Sequence, residues 1–253
     1  MIPYNAPIRD IRFVMHDLGL LDTVSALPGC EDASADLVDA VLAEAGKLAG
    51  NVLGPLNRSG DEQGLTYDPA TGSVTTPDGF ADAYRQYVET GLLSIAQPEE
   101  FGGGGAPHVL GTFINEMVTA TNKSFSMAPG LGHGLIEALI HYGTDAQKER
   151  YLTRMVSGEW TGTMCITEPQ AGTDVGALRT RAEKQPDGTY RLFGSKIFIT
   201  YGDHDLAENI IHMVLARTPG SPPGTRGISC FIVPKYLVNE DGSIGERNDL
   251  LCV

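Results

Sequence analysis

The residues best suited to chemistry fall in two short stretches. The first is Met164-Cys165-Ile166-Thr167-Glu168-Pro169-Gln170-Ala171-Gly172-Thr173-Asp174. An apolar strand delivers Thr167, and Pro169 then ends the ladder because it has no N–H to donate. Ala171-Gly172-Thr173 follows as a loop of small residues. Such a loop presents several backbone N–H donors and one or two hydroxyls at close range, as the edge of a heterocycle or a pyrophosphate requires. The second stretch is Gly194-Ser195-Lys196-Ile197-Phe198-Ile199-Thr200-Tyr201-Gly202. It reads as a strand with Phe198 and Thr200 on one face, two residues apart. A ring beside a hydroxyl can pack against a flat ligand and orient it. Taken singly, the plainer readings are favoured: a polar turn, and a core phenylalanine with an edge threonine.

Two textures must position these stretches. From about residue 34 to 157 the apolar spacing is helical. Ser34 and Asp36 can cap a segment that carries Leu37, Val41, Leu48 and Val52 on one face. Asp78 to Thr90 reads as a helix stopped by Gly91. Leu110, Phe113, Ile114, Met117 and Val118 make a third stripe, and Leu131 to Tyr142 a further helix ending at Gly143. Thr144-Asp145-Ala146-Gln147 has the capping-box form, in which hydroxyl and amide each satisfy a free backbone N–H, and the helix it opens runs to about Met155.

After Gly158 the period changes to two. Trp160 to Thr167, Arg179 to Lys184, Thr189 to Phe193, Lys196 to Thr200, Ile210 to Ala216 and Gly227 to Val233 read as short strands. Pro186-Asp187-Gly188 is a turn, and Gly220 to Gly224 a loop between strands. Short strands with frequent turns predict a barrel or a sandwich. The last residues, Leu250-Leu251-Cys252-Val253, are apolar and strand-like where a natural terminus is usually polar and frayed, so the expectation is a chain cut in mid-strand.

Composition narrows the function class. Hydrophobic residues at 42% and charged residues at 20% are ordinary for a globular protein, and 253 residues suffice for one large domain or two ordinary ones. A net charge of -14 with no Lys/Arg cluster argues against nucleic acid. It leaves room for an anionic small ligand held by backbone N–H groups and a few local cations. No apolar run spans a bilayer, and Met1 to Asp10 lacks the apolar core of a secretory signal. Cys30, Cys165, Cys230 and Cys252 show no close pairing and read as reduced thiols of a cytoplasmic protein.

Together the two stretches resemble the acyl-CoA dehydrogenase signature: T-E-P-x-A-G-T-D, a hairpin, then G-x-K-x-F-I-T. The resemblance extends upstream. Gln97-Pro98-Glu99-Glu100-Phe101-Gly102-Gly103 resembles the family's P-E-E-[YF]-G-G loop. Tyr142-Gly143-Thr144 through Lys148, Tyr151-Leu152 and Ser157-Gly158-Glu159 resemble its Y-G-T-x-x-Q-K-x-x-Y-L and S-G-E segments. Tyr4 to Phe13 resembles the leader of a long bacterial branch that includes 3-methylmercaptopropionyl-CoA dehydrogenases. The match covers nearly the whole chain.

The resemblance implies an α+β fold: a leader over 1–33, an all-helical N-terminal domain over 34–159, and an incomplete β-barrel middle domain over 160–253. It implies FAD as cofactor, an acyl-CoA substrate oxidised to a trans-2-enoyl-CoA, an electron-transferring flavoprotein as acceptor, and a homo-oligomer. Met164, Ile166 and Thr167 are then expected to line the flavin ring, with Thr167 hydrogen-bonding to it. Gly172 and Thr173 are expected near the FAD diphosphate or the substrate, and Phe198, Ile199 and Thr200 beside the flavin from the second stretch. Met164 stands where many members have an aromatic residue, Phe198 where Trp is commoner, and Gln170 where Gly is usual. The family's catalytic glutamate belongs to a C-terminal domain, so no catalytic residue is expected here, and Glu168 is read as holding its turn. This chain alone is expected to retain little FAD.

Other features have plainer readings. Gly102 to Gly105 lacks G-K-[ST] and reads as a flexible connection rather than a phosphate loop. His133, Glu137 and His141 recur every four residues, yet such sets are more often packed or solvated than metal ligands. Glu31, Asp32 and Asp36 read as a solvated face, and Arg179 and Arg181 as exposed strand arginines. Two further functional readings remain at this level: a non-catalytic family member acting as a binding module, and a relative with altered chemistry, such as an oxidase.

Overall fold

The protein is described by a computed structural model over residues 3–251. The reading of Cys252 as a free thiol, and the last two residues of the terminal apolar run, lie outside those residues.

The amino-terminal region is helical. After α1 (Ile8–Arg12), a π-helical turn (Phe13–Asp17) and α2 (Leu20–Ser25) come α3 (Ala35–Lys47), a second π-helical stretch (Leu48–Leu53) and α4 (Gly54–Gln63). Ser34 caps α3 as its residue type predicts, its hydroxyl accepting from Leu37 N–H at 3.2 Å. The buried face is Val38, Leu42 and Ala45, continued by Leu48 and Ala49. Of the predicted face, Leu48 is buried and Val41 and Val52 pack against the same core, whereas Leu37, in the first turn beside the cap, is exposed. A two-stranded hairpin follows that periodicity did not announce, β1 (Thr66–Asp68) with β2 (Ser73–Thr75). Helix α5 (Phe80–Glu89) buries Phe80, Ala83, Tyr84 and Tyr87 and ends before Gly91, whose φ of 71° only glycine adopts readily.

Helices α6 (His108–Thr121) and α7 (Lys123–Tyr142) pack side by side. The predicted start of α7 at Leu131 is eight residues late. Asn122 caps the helix, accepting from Phe125 N–H at 3.0 Å. Pro129, Gly130, Gly132 and Gly134 all lower helix propensity, but tertiary packing overrides them. Gly132 meets Gly162 of the sheet so closely that a methyl on Gly162 would lie 3.2 Å from Gly132 Cα. Helix α8 (Asp145–Ser157) opens with the predicted capping box, both hydrogen bonds present.

The second region is a sheet built on one long strand. Strand β3 (Trp160–Cys165) pairs in parallel with β6 (Asn209–Arg217), from Trp160↔Asn209 to Cys165↔Val214. Strands β4 (Arg181–Lys184) and β5 (Tyr190–Phe193) form a hairpin around the predicted Pro186-Asp187-Gly188 turn, and β4 touches β6 at Arg181↔Arg217. Strand β7 (Ile228–Pro234) runs antiparallel to β6. A last hairpin joins β8 (Tyr236–Val238) and β9 (Ile244–Arg247). Among the described residues the sheet does not close into a barrel.

Two apolar clusters hold these elements. One lies among the helices and takes in Ile11, Met15 and Leu21 from the first helical turns. The other sits between α7, α8 and the sheet and includes Leu135, Leu139, Leu152, Met155, Trp160 and Ile211. Burying such side chains contributes roughly 1.5–3 kcal/mol each. Polar ties cross between the regions: Asp205 accepts from Thr76 N–H at 3.0 Å and its hydroxyl at 2.6 Å, and Arg247 donates to the Thr71 carbonyl at 2.8 Å.

Gly102 to Gly105 is not a flexible connection. Gly103, Gly104, Gly105 and Ala106 N–H donate to the carbonyls of Pro98, Ser94, Gln97 and Ile95 at 2.9–3.0 Å. A side chain on Gly103 would collide with the Gln97 carbonyl, so glycine is there for close backbone approach.

Candidate functional site

Strand β3 alternates as a strand must. Thr163 and Cys165 turn inward and are buried, while Met164 between them is exposed. Beyond the strand, Ile166 and Thr167 are half-buried, and the chain turns at Glu168. That turn is closed by reciprocal hydrogen bonds of 3.0 Å between Glu168 and Ala171. Gly172 and Thr173 follow as an exposed loop, and their N–H groups and the Thr173 hydroxyl have no protein partner among the described residues.

The second stretch comes alongside the first. Ile197 N–H donates to the Thr167 carbonyl at 2.9 Å, and Lys196 Nζ donates to the Ile166 carbonyl at 2.9 Å. The predicted strand over Lys196 to Thr200 is absent. Phe198 and Tyr201 have φ of 56° and 52°, and Gly202 N–H closes back on the Ile199 carbonyl at 3.1 Å. The segment is a pair of turns, because Lys196 is drawn inward and the backbone donor of Ile197 goes to the end of β3 instead of a ladder. Phe198 and Thr200 therefore do not share a strand face. Phe198 stands 90% exposed, while Ile199 and Thr200 are half-buried.

Glu168 is the electrostatic centre of the turn, and it is 3% exposed. Its carboxylate accepts from Arg179 N–H at 2.7 Å, Thr180 N–H at 3.0 Å, the Thr180 hydroxyl at 2.5 Å, Gln170 Nε2 at 2.6 Å and Lys196 Nζ at 2.8 Å. Burial raises its pKa, but the hydrogen bonds from Lys196, Thr180 and Arg179 outweigh that and bring it down to about 2. A carboxylate so committed holds the turn and accepts no further proton near neutrality. Gln170 joins this network through its amide.

Behind the strand lies a polar layer that the sequence did not announce. Thr163 Oγ1 is 2.7 Å from His212 Nδ1, on the neighbouring strand. His204 Nδ1 accepts from Leu206 N–H at 3.1 Å, so its Nε2 carries the proton toward Thr161 Oγ1 at 2.9 Å. Burial lowers both histidines to about 4. Lys235 Nζ meets Asp203 Oδ1 at 2.6 Å, with Arg247 3.7 Å from Oδ2. These partners are tens of residues apart, and no local spacing marks them.

The remaining candidates separate. His133 Nε2 faces the Leu93 carbonyl at 3.3 Å, whereas His141 pairs with Glu137 at 3.5 Å on the surface. Among the described residues no three His, Cys, Asp or Glu are grouped to hold a metal. Arg181 binds Glu183 at 2.7 Å and lies over the Phe193 ring.

Residues 66–159 match the acyl-CoA dehydrogenase N-terminal domain, and residues 163–248 match the acyl-CoA dehydrogenase middle domain. The chain belongs to the acyl-CoA dehydrogenase family. Among its relatives, 3-methylmercaptopropionyl-CoA dehydrogenase of Ruegeria pomeroyi is 45% identical over 99% of this chain, which spans 42% of that protein's length. The structure of butyryl-CoA dehydrogenase from Megasphaera elsdenii superposes with a TM-score of 0.63 at 26% identity, over 79% of this chain and 49% of that one. An acyl-CoA dehydrogenase of Bacillus anthracis in complex with FAD superposes with a TM-score of 0.63 at 25% identity, over 81% of this chain and 32% of that one. The α+β class of the acyl-CoA dehydrogenase fold is thus as predicted. Among the described residues no helix is long and apolar enough to cross a membrane.

Proposed function

We propose that this chain supplies the helical layer and part of the flavin site of an FAD-dependent dehydrogenase that converts an acyl-CoA thioester to a trans-2-enoyl-CoA. The observation that carries the reading is the union of the two motif stretches through Ile197 N–H to the Thr167 carbonyl and Lys196 to Ile166 and Glu168. The surface so formed has the chemistry a flavin requires. It offers the exposed apolar groups Met164 and Phe198, the Thr167 hydroxyl, and uncommitted N–H donors at Gly172 and Thr173.

FAD, when bound, supplies a hydride acceptor for the β-carbon of the acyl thioester. Met164, Ile166, Phe198 and Ile199 form its apolar wall, and the Thr167 and Thr200 hydroxyls offer hydrogen bonds to the ring edge. Gly172 and Thr173 serve the diphosphate, with Thr173 also reaching the substrate. Glu168 is not the base, because its oxygens are already filled. We read residues 1–33 as a leader, 34–159 as the helical domain and 160–253 as the middle domain. The parent is read as a cytoplasmic homo-oligomer that passes electrons to an electron-transferring flavoprotein, and the free Cys30, Cys165 and Cys230 are consistent with a reducing compartment.

The test is reduction of ferricenium by a panel of acyl-CoAs with the flavin-loaded parent protein, beside a Thr167→Val variant. Turnover with at least one acyl-CoA, and weaker FAD retention in the variant, are expected. A colourless parent inert to every acyl-CoA would refute the reading.

A further inference from the structure

Helices α5, α7 and α8, strand β3 and the segment 93–97 line a small cavity; Tyr84, Gln97, His133, Trp160 and Thr161 are its polar neighbours. It gives about 10 Å³ to the centre of a water-sized sphere. That is close to what one water requires, and too little for a larger ligand. No Asp, Glu, Lys or Arg lines it, so nothing there would compensate an ion.

Two lining side chains end in buried polar atoms with no hydrogen-bond partner: Gln97 Oε1, an acceptor, and Trp160 Nε1, a donor. Gln97 is 5% exposed and Trp160 1%. Buried polar groups are very largely paired in native proteins, so a donor and an acceptor left over on one cavity call for a common partner. His133 adds a third position. Its Nε2 faces the Leu93 carbonyl, which can only accept, so Nε2 carries the proton and Nδ1 of the neutral ring is an acceptor.

We propose that one water molecule is a permanent part of this fold, accepting from Trp160 Nε1–H and donating to Gln97 Oε1. It joins the tight 97–105 turn of the helical region to the first residue of the sheet. The site lies apart from the motif stretches and does not depend on flavin.

Trp160 is the only tryptophan in the chain, so one indole N–H resonance reports on the site. In the uniformly ¹⁵N-labelled, deuterated protein, that proton is expected to show a cross-peak at the water frequency. The peak should have opposite signs in NOE and ROE experiments, which marks contact with a held water and not proton exchange. Gln97→Met keeps the volume and removes the acceptor, and is expected to abolish the cross-peak and move the indole proton upfield. A wild-type protein with no cross-peak, or with an exchange-signed one, would overturn the proposal, and so would an unchanged spectrum in the variant. Should Gln97→Met fail to fold, a high-resolution crystal structure of the wild type decides. An ordered water within hydrogen-bond reach of both atoms supports the proposal, and density for none overturns it.

Discussion

The ammonium of Lys196 lies 2.8 Å from the carboxylate of Glu168, with the two side chains 11% and 3% exposed. One buried ion pair thereby fixes the distance between the two stretches that resemble a flavin site. Removing one partner strands the other charge, which typically costs about 3–5 kcal/mol. Lys196→Met is expected to lower stability by about 3 kcal/mol, read as a fall in the urea midpoint at constant slope. A loss under about 1 kcal/mol, the range of surface pairs, would show that the pair does not hold the turn.

Acid stability should fall in two stages. His204 and His212 are held at about 4 in the fold, against 6.5 as the ordinary value. A base with a depressed folded pKa binds its proton more readily when unfolded, so stability is full above pH 6.5 and declines as pH falls toward 4. Glu168, at about 2 against 4.5, contributes stability present above pH 4.5 and lost as pH falls through about 2. Its contribution is on the order of 3 kcal/mol. Unfolding free energy measured from pH 7 to 2 should decline over both windows, and His212→Asn should make the upper decline shallower, with the His204 share remaining, and leave the lower one unchanged.

Two glycines of the helical region should respond with opposite signs. Gly103→Ala drives a methyl into the Gln97 carbonyl and should cost at least about 2 kcal/mol, in the range of named backbone and packing defects. Gly134→Ala meets nothing within 4 Å in the middle of α7 and should stabilise by about 1 kcal/mol. Thermal melts of both variants give the comparison, and a shared sign would contradict it.

Phe198 combines a left-handed backbone with a ring that is 90% exposed. Glycine there relieves strain of about 1–2 kcal/mol and forfeits little burial. Phe198→Gly should therefore leave this chain equally or more stable, while weakening FAD retention in the parent. A marked fall in melting temperature would mean that the ring is packed in a way this exposure does not reveal.

Features written in adjacent residues were legible. The Thr144–Gln147 capping box, the Ser34 cap and the Pro186-Asp187-Gly188 turn each depend on partners within a few positions, and each is present. Features that depend on distant partners were not. Alternating Ile197 and Ile199 look like strand residues, but where the Ile197 backbone donor goes is decided by Thr167, thirty positions earlier. The 102–105 glycines looked flexible because composition says nothing about the carbonyls waiting at Ser94, Gln97 and Pro98. For the candidate site, the motif singled out Met164, Thr167 and the 172–173 loop as residues to place, while Thr163, His204, His212, Asp203 and Lys235 behind them carry no local signature.

The parallel pairing of β3 with β6 has a consequence for the order of synthesis. Thr163 and His212 face each other in register but are 49 residues apart. At roughly 5–20 residues per second, β6 leaves the ribosome several seconds after β3. During that interval β3 has no strand partner, and its apolar residues have only the preceding helices to rest on. The close seam of Gly132 against Gly162 lets α7 cover the strand at once, so the helices would chaperone the nascent sheet. A force-sensing arrest peptide fused just beyond β3 should register that docking, and Gly162→Leu should abolish the signal.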